Sequence, residues 1–188
     1  MKMRSELIKT LFPFRPPIER KEGTHVSDVI NKMLELVYNN KRKEFTEQDR
    51  IRMEMGFVWE CMCEVGWRDL LGWRPEELQV DGIWMSPDYL GIEDEGIVVR
   101  EMKCTWKSVH PTSGHFDPTD QLRWMMQAKS YCHAVGATVA LFYVYHVNGN
   151  YRPPAPVFEG VWRIEFTDLE LVENWQSIVN FAKTMKMI

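Results

Sequence analysis

The sequence predicts one domain of the α/β (α+β) class, in which a mixed β-sheet is flanked by α-helices. The 188 residues are 45% apolar and 27% charged, which suits a folded core and excludes a disordered or collagen-like chain. The hydrophobic pattern predicts the order helix, helix, strand, strand, helix, strand, strand, helix. Because a long helix separates the second strand from the third, one parallel crossover is allowed, and we expect a mixed sheet.

The first helix is expected after an irregular segment at 1–25. Its apolar residues recur with a period of 3.6, which places it on the surface with one face inward. Ser27 is the expected N-cap of this helix, and Asn39-Asn40 is its expected end.

The second helix is expected to begin at Thr46, whose hydroxyl can cap free backbone amides, with Asp49 in the first turn. It runs to about Val65, before Gly66 ends it. The residues that the period assigns to its inner face are Ile51, Met55, Val58 and Met62.

Two strand-like stretches follow, at 78–85 and 96–105, and they are expected to pair as a hairpin with a long polar loop. Asp117-Pro118 then opens a third helix, which ends before Gly136. The stretch 138–147 is rich in β-branched and aromatic residues and predicts the third strand.

The last elements are expected to begin at a hairpin turn, Asn148-Gly149. A strand at 160–166 follows the turn. Thr167 and Glu170 then form a capping box for a C-terminal helix that runs to about Met185.

The apolar residues also bear on the location of the protein. No apolar run approaches the roughly 20 residues of a membrane-spanning helix. The segment 1–17 lacks a secretory hydrophobic core because Lys9 and Arg15 interrupt it. We therefore expect an intracellular, cytoplasmic protein with no membrane partner.

The net charge of −4 is unevenly distributed. Residues 1–50 carry 11 basic and 8 acidic side chains, whereas residues 51–188 carry 12 and 19. A mildly acidic total argues weakly against a protein that coats nucleic acid by bulk charge, although such a chain can still grip phosphate locally. The four cysteines fit neither a zinc ribbon nor a disulfide framework, and we expect buried thiols at Cys61, Cys63, Cys104 and Cys132.

Charged residues interrupt the two apolar stretches that we expect to pair as a hairpin. Asp81 lies in the first stretch, and Glu101 and Lys103 lie in the second. Because side chains alternate across a strand, Glu101 and Lys103 share one face, and an antiparallel partner could bring Asp81 beside Glu101. Two carboxylates and an ammonium group would suit Mg²⁺, which completes its coordination with water and phosphate oxygens. The alternative is a solvated pair of charges on an edge strand.

These residues resemble the PD-(D/E)xK nuclease superfamily, in which an acidic residue on one strand precedes Glu-x-Lys on the next. Asp81 and Glu101-Met102-Lys103 match that pattern, with Val80 in place of the proline. Gln127 and Tyr131 are similar to the Gln-xxx-Tyr motif of the RecB-type and CRISPR-adaptation nucleases.

A further similarity lies upstream, where Gly56 to Glu60 resembles the Gly-and-Glu helix of those families and of lambda-type exonucleases. The resemblance covers roughly residues 47–166. It implies a restriction-endonuclease-like mixed sheet in a single domain (1–188), with a catalytic core at 46–188 and an N-terminal helical extension at 1–45.

The resemblance also implies an activity: Mg²⁺-dependent hydrolysis of DNA phosphodiester bonds, with Mn²⁺ as a substitute ion. An exonuclease of DNA recombination, repair or phage DNA processing is expected, with DNA as substrate and a single-strand annealing protein or a helicase as a candidate partner. Lambda-type relatives form rings, which leaves a homo-oligomer open. The cysteine spacing differs from that of the iron–sulfur members, so no such cluster is expected.

In the implied mechanism, Asp81, Glu101 and the Met102 backbone carbonyl bind the metal, and Lys103 orients or deprotonates the attacking water. Glu60 binds the metal through a water molecule, with Glu54 and Glu64 as alternatives on the same helix.

The substrate contacts that the resemblance implies come from later in the chain. Gln127 and Tyr131, four residues apart on one helix face, hold a phosphate or the Lys103 strand. Independently of the resemblance, the loop after the second strand holds Lys107 and Trp106, and we expect it to lie over the active site and touch a nucleic-acid strand by charge and stacking.

Two other functions stay open: a nuclease-fold module that binds DNA ends or a partner without cutting, and a restriction-type endonuclease. His110, His115 and Asp117 suggest a separate metal site, but their spacing is unlike that of a zinc motif, and loop polarity is the simpler reading.

Overall fold

A computed structural model of the chain describes residues 20–39, 46–94, 96–110, 115–151 and 154–188. The predictions for residues 1–19 and for Asn40 lie outside the described residues. The helices within these ranges are α1 (Val26–Val37), α2 (Glu47–Gly66), α3 (Arg68–Leu71), α4 (Leu122–Val135) and α5 (Asp168–Thr184), with a 3₁₀ turn at Pro118–Asp120. The strands are β1 (Thr24–His25), β2 (Leu78–Val80), β3 (Ile83–Met85), β4 (Tyr89–Glu93), β5 (Gly96–Thr105), β6 (Val139–Tyr151), β7 (Pro154–Val157) and β8 (Val161–Glu165).

The strands form two sheets. The larger has the order β4-β5-β6-β7, and β8 also pairs with β6. Strands β5 and β6 are parallel, whereas β4 with β5, and β7 and β8 with β6, are antiparallel. The connection between β5 and β6 contains α4, so the predicted mixed sheet with a parallel crossover is confirmed. The smaller sheet has the order β1-β3-β2.

The pairing of the first strands differs from the prediction. The stretch 78–85 is itself a hairpin, whose turn residues Asp81 and Gly82 have φ angles of 50° and 81°. Positive φ at both positions is typical of the type I′ turn that Asp-Gly favours. The antiparallel partner of β5 is therefore β4, which follows in the chain.

The core lies on both faces of the larger sheet. On one face, α1, α4 and α5 pack with sheet residues such as Val99 and Phe142. On the other face, Trp59 and Cys63 of α2 pack with Met102 and neighbouring strand residues. The helix α1 contributes Val26, Val29 and Ile30 to the first core, so its inner face is an integral part of the packing.

The inner face of α2 is rotated from the predicted one. Trp59 and Cys63 are buried, whereas Val58 and Met62 are half exposed. The Trp59 indole N–H donates a hydrogen bond of 2.9 Å to the Tyr143 carbonyl, and the large ring brings its own side of the helix onto the sheet. The helical period of α2 thus agrees with the prediction, but the phase of its buried face differs from it.

The cysteine prediction is correct for only part of the set. All four thiols are free, and Cys63 and Cys132 are buried, but Cys61 is exposed and Cys104 is half-buried. Cys61 lies on the outward side of α2, so its exposure follows from the rotation of that helix.

The helix caps agree better with the sequence. Thr46 is the N-cap of α2, as predicted, and also forms a capping box with Asp49. The predicted capping box of Thr167 with Glu170 is present. Gly136 ends α4 in the left-handed conformation. The N-cap of α1 is His25, not Ser27.

The predicted turn at Asn148-Gly149 is absent, because β6 continues through these residues. The register shifts at Gly149, where a Cβ atom would collide with the Ala155 carbonyl oxygen. Position 149 therefore requires glycine, because the register shift brings the neighbouring strand too close for a side chain. Among the described residues, no helix combines the length and apolar character needed to cross a bilayer.

Candidate active site

The middle of β5 carries a buried ion pair. Glu101 and Lys103 lie on one face of the strand, and Lys103 Nζ is 2.5 Å from Glu101 Oε2. Only 1% of the Glu101 residue is exposed. Met102, between them, points to the opposite face and packs in the α2 core. Strand alternation thus places the carboxylate and the ammonium together, as the sequence predicted.

Asp81 does not join this pair, and its predicted position beside Glu101 is wrong. It lies in the exposed β2–β3 turn, where its Oδ2 accepts a 2.8 Å hydrogen bond from Trp175 Nε1. The Asp-Gly dipeptide closes its own tight turn, which leaves the pairing edge of β5 to a later segment.

Asp88 occupies the place that was expected for Asp81. It immediately precedes β4, and its Oδ2 accepts the Met102 backbone N–H at 2.7 Å. By pattern alone, Asp88 falls in the polar loop between the two apolar stretches, whereas Asp81 interrupts an apolar run. The dipeptide Pro87-Asp88, directly before a strand that pairs with β5, is the signal that would have identified it.

The three charges influence one another strongly. Burial raises the pKa of Glu101 to about 7, although the ammonium of Lys103 acts to lower it. Burial also raises the pKa of Asp88. For Lys103, burial acts to lower the pKa, but the attraction of Glu101 and Asp88 outweighs it, and the net pKa is raised. The ammonium therefore stays charged, while the carboxylates resist ionisation.

Gln127 and Tyr131 lie one turn apart on α4 and connect that helix to the ion pair. Lys103 Nζ donates to Gln127 Oε1 at 3.2 Å, and Gln127 Nε2 donates to the Tyr131 hydroxyl at 2.7 Å. Of the two predicted roles for this motif, the contact with Lys103 matches the one that holds the strand.

A cleft of about 870 Å³ opens beside these residues. Asp88, Gln127 and Tyr131 line one part of it, and Glu60 lines another part from α2. The carboxylate of Glu60 is 3.3 Å from the Arg74 guanidinium.

Glu54 and Glu64, the predicted alternatives to Glu60, lie in different surroundings. Glu54 also lines the cleft. Glu64 accepts a 2.5 Å hydrogen bond from the Tyr89 hydroxyl. Glu60 and Glu54 are thus the acids of α2 that face the cleft.

Basic and aromatic side chains share this cleft with the acids. They include Arg20, Lys21, Arg50 and Arg74, together with Phe57 and Trp84. Cations can pair with phosphates, and aromatic rings can stack on bases, so the lining is chemically suited to a nucleic-acid strand.

Lys107 lies beyond the end of β5. It is exposed, and its Nζ donates to Gln121 Oε1 at 2.5 Å. It is not among the cleft-lining residues of the described chain. A contact between Lys107 and a nucleic-acid strand stays a prediction.

The donor set fits a hard divalent cation. Glu101 Oε1 is buried and has no hydrogen-bond partner in the described part of the chain. The Asp88 carboxylate lies against the same strand, where it accepts a hydrogen bond from the Met102 backbone N–H. Carboxylate oxygens are the protein ligands that Mg²⁺ prefers, and a divalent charge would stabilise both ionised acids.

Solved structures share the fold of this chain. A phage-related exonuclease from Haemophilus somnus matches with a TM-score of 0.51 at 14% identity, over 84% of this chain and 79% of that one. The alkaline exonuclease LHK-Exo from Laribacter hongkongensis matches with a TM-score of 0.52 at 16% identity, over 87% of this chain and 88% of that one. Its complex with dAMP matches with a TM-score of 0.53 at the same identity and coverage.

No protein-family profile matches the sequence, and no curated protein matches it. The predicted restriction-endonuclease-like architecture and the resemblance to lambda-type exonucleases are confirmed at the level of the fold. This chain has the mixed α/β fold of phage-related and alkaline exonucleases.

Proposed function

We propose that this protein is a metal-dependent deoxyribonuclease whose catalytic centre is formed by Asp88, Glu101 and Lys103. The observation that carries the proposal is the buried pairing of Glu101 with Lys103 next to Asp88, beside a cleft lined with basic side chains. Burial raises the pKa of both acids, so this arrangement is costly for folding. Buried charges with such perturbed pKa values cluster at functional sites.

Asp88, Glu101 and the Met102 carbonyl are the groups that would hold Mg²⁺, or Mn²⁺ in its place, with Glu60 contributing through water. A bound ion of this kind polarises a phosphate and lowers the pKa of a bound water. Lys103 supplies a fixed positive charge next to this centre, and Gln127 orients its ammonium group. Asp88 thus takes the role that the sequence pattern assigned to Asp81.

DNA is the proposed substrate, and cleavage from an end is the proposed mode. The phage-related exonuclease and LHK-Exo described above are exonucleases by name, and LHK-Exo was crystallised with dAMP, a deoxynucleoside monophosphate. A role in recombination, repair or phage DNA processing follows from the same likeness. An annealing protein or a helicase is the proposed partner, and homo-oligomerisation belongs to the same proposal.

End-labelled single- and double-stranded DNA, incubated with Mg²⁺, Mn²⁺ or EDTA, tests the proposal. We expect metal-dependent release of short products, which falls at least about 100-fold in Asp88→Asn, Glu101→Gln and Lys103→Ala. Asp81→Asn is the matched control, because it lies outside the cluster and Asn suits the turn. Circular dichroism spectra that match the wild type would show that the inactive variants are folded.

Four outcomes are informative. Cleavage that survives Glu101→Gln would refute the centre. Loss of activity in Asp81→Asn, with activity retained in Asp88→Asn, would restore the original assignment. Cleavage of covalently closed circular DNA would indicate an endonuclease, because an exonuclease needs an end. DNA binding without products in any metal would indicate the non-cleaving module.

A further inference from the structure

Two histidines lie in the connection between β5 and α4. Next to them, the Phe116 N–H donates a hydrogen bond of 2.9 Å to the Val109 carbonyl. Val109 and Phe116 are buried to 2% and 3% exposure, so they anchor the two chain segments at this point. His110 and His115 are the next residues outward on each segment, and the hydrogen bond therefore holds their side chains next to each other.

The two imidazole rings have the spacing of metal ligands. The His110 Nδ1 and His115 Nδ1 atoms are 3.4 Å apart. A tetrahedral Zn²⁺ with Zn–N bonds of about 2.0 to 2.1 Å separates two nitrogen ligands by about 3.3 Å. Little rearrangement is needed for both nitrogens to bind one ion.

A carboxylate from the connection between β7 and β8 lies beside the two histidines. Glu159, between β7 and β8, places its Oε2 3.6 Å from Nε2 of His115, which is the other nitrogen of that ring. One ligand atom from each of the three residues lies within 4.8 Å of the other two. All three side chains are exposed, so an ion can reach them and water can complete the coordination.

Glu159 is also held by its neighbours in the chain. Phe158 packs against the core on the α2 side of the sheet. The ring of Trp162 on β8 lies 6.0 Å from the ring of His115. The two connections that carry the three ligands are therefore both anchored to the sheet.

We propose that His110, His115 and Glu159 form a binding site for a borderline transition-metal ion such as Zn²⁺, separate from the Asp88–Glu101 centre. Imidazole nitrogens favour such ions over Mg²⁺. None of the three residues is among those lining the cleft in the described chain. A bound ion would tie the loop after β5 to the β7–β8 connection and stabilise the folded state.

Calorimetric titration with Zn²⁺ tests this site directly. The protein carries no histidine tag and contains Cys61→Ser, because the exposed Cys61 thiol is a competing ligand. An excess of Mg²⁺ competes with Zn²⁺ for the carboxylate centre, and the Glu101→Gln variant reports any Zn²⁺ that still binds there. We expect one Zn²⁺ per chain, with affinity reduced at least about tenfold by His110→Gln, His115→Gln or Glu159→Gln.

Two variants serve as matched controls. His133→Gln removes a histidine that stacks on Trp175 in a different part of the fold, and Glu173→Gln removes an exposed carboxylate of α5. Both should bind Zn²⁺ as the parent does. With Co²⁺ as a spectroscopic probe, the parent should show the visible bands of tetrahedral coordination, and His115→Gln should lack them.

The result is independent of nuclease activity. Glu101→Gln should bind Zn²⁺ with unchanged affinity whether or not the protein cleaves DNA. Equal affinity in the parent and in all three ligand variants would overturn the proposal. Zn²⁺ binding that is lost in Glu101→Gln but kept in His110→Gln would overturn it as well, because the ion would then lie at the carboxylate centre.

Discussion

The Glu101 side chain is almost completely buried, and its two carboxylate oxygens have different surroundings. One carboxylate oxygen is bonded to Lys103, while the other is buried without a hydrogen-bond partner among the described residues. An unpartnered charged oxygen in such a place is costly. A divalent ion would relieve this cost, which is the physical reason to expect that metal binding stabilises the protein.

The stability of the metal-free protein should depend on pH through Glu101. Its pKa in the folded state is about 7, against an ordinary value of 4.5. A group with a raised pKa contributes stability that is fully present below the unfolded value and is lost as the pH rises through the folded value. Between about pH 4.5 and pH 7, wild type in EDTA should therefore lose on the order of 1 to 3 kcal/mol relative to Glu101→Gln.

Urea unfolding in EDTA at several pH values measures this difference. Asp88 is present in both proteins, so the difference between them reports the titration of Glu101 together with its electrostatic effect on Asp88. Parallel pH profiles for wild type and Glu101→Gln would contradict the prediction. Added Mg²⁺ should stabilise wild type, and should stabilise Glu101→Gln less.

At the scale of elements, α4 has two functions. It makes the crossover that allows β5 and β6 to run parallel, and it carries Gln127, which holds Lys103. Gly136 ends this helix, and the chain then enters β6 directly. The element that determines the topology of the sheet thus also orients the proposed catalytic lysine.

Two glycines in and after α2 should respond oppositely to alanine. Gly56 lies inside the helix, and an added Cβ would meet nothing within 4 Å. Gly56→Ala should stabilise the protein by about 0.5 to 1 kcal/mol, because alanine lowers the entropy of the unfolded chain. Gly72 has φ of 84° and ψ of −126°, and a Cβ there would collide with the Leu90 carbonyl.

Gly72→Ala should therefore destabilise the protein by at least about 1 to 3 kcal/mol. Thermal unfolding of the two variants beside wild type measures both effects. A neutral Gly72→Ala would mean that the chain around α3 and β4 adjusts more freely than the packing against Leu90 indicates.

At the scale of the whole molecule, α1 belongs to the packing of the main core. Ile30 is fully buried in the cluster that α1 shares with α4 and α5, whereas Val37 at the end of the helix is 72% exposed. Ile30→Ala should cost about 2 to 5 kcal/mol, and the control Val37→Ala should change stability by less than about 0.5 kcal/mol.

Chemical denaturation followed by tryptophan fluorescence and by circular dichroism measures this prediction. The two probes should report one transition for Ile30→Ala and for wild type, since α1 unfolds with the sheet it covers. A near-neutral Ile30→Ala, or a separate early transition, would show that α1 is an independent attachment.

The sequence by itself determined the features that depend on neighbours along the chain. The caps at Thr46 and Thr167, the shared face of Glu101 and Lys103, and the helix that carries Gln127 and Tyr131 follow from local hydrogen bonding and from the strand and helix periods. These features involve residues only a few positions apart, which is why pattern and spacing suffice to predict them.

Only the tertiary structure decided which distant segments meet. The tight turn at Asp81-Gly82 gave the place beside β5 to β4, and with it the acidic position to Asp88. The rotation of α2 followed from the fit of one large ring, Trp59, against the sheet. Strand partners and helix phase depend on packing between residues far apart in sequence, and the local period carries no information about them.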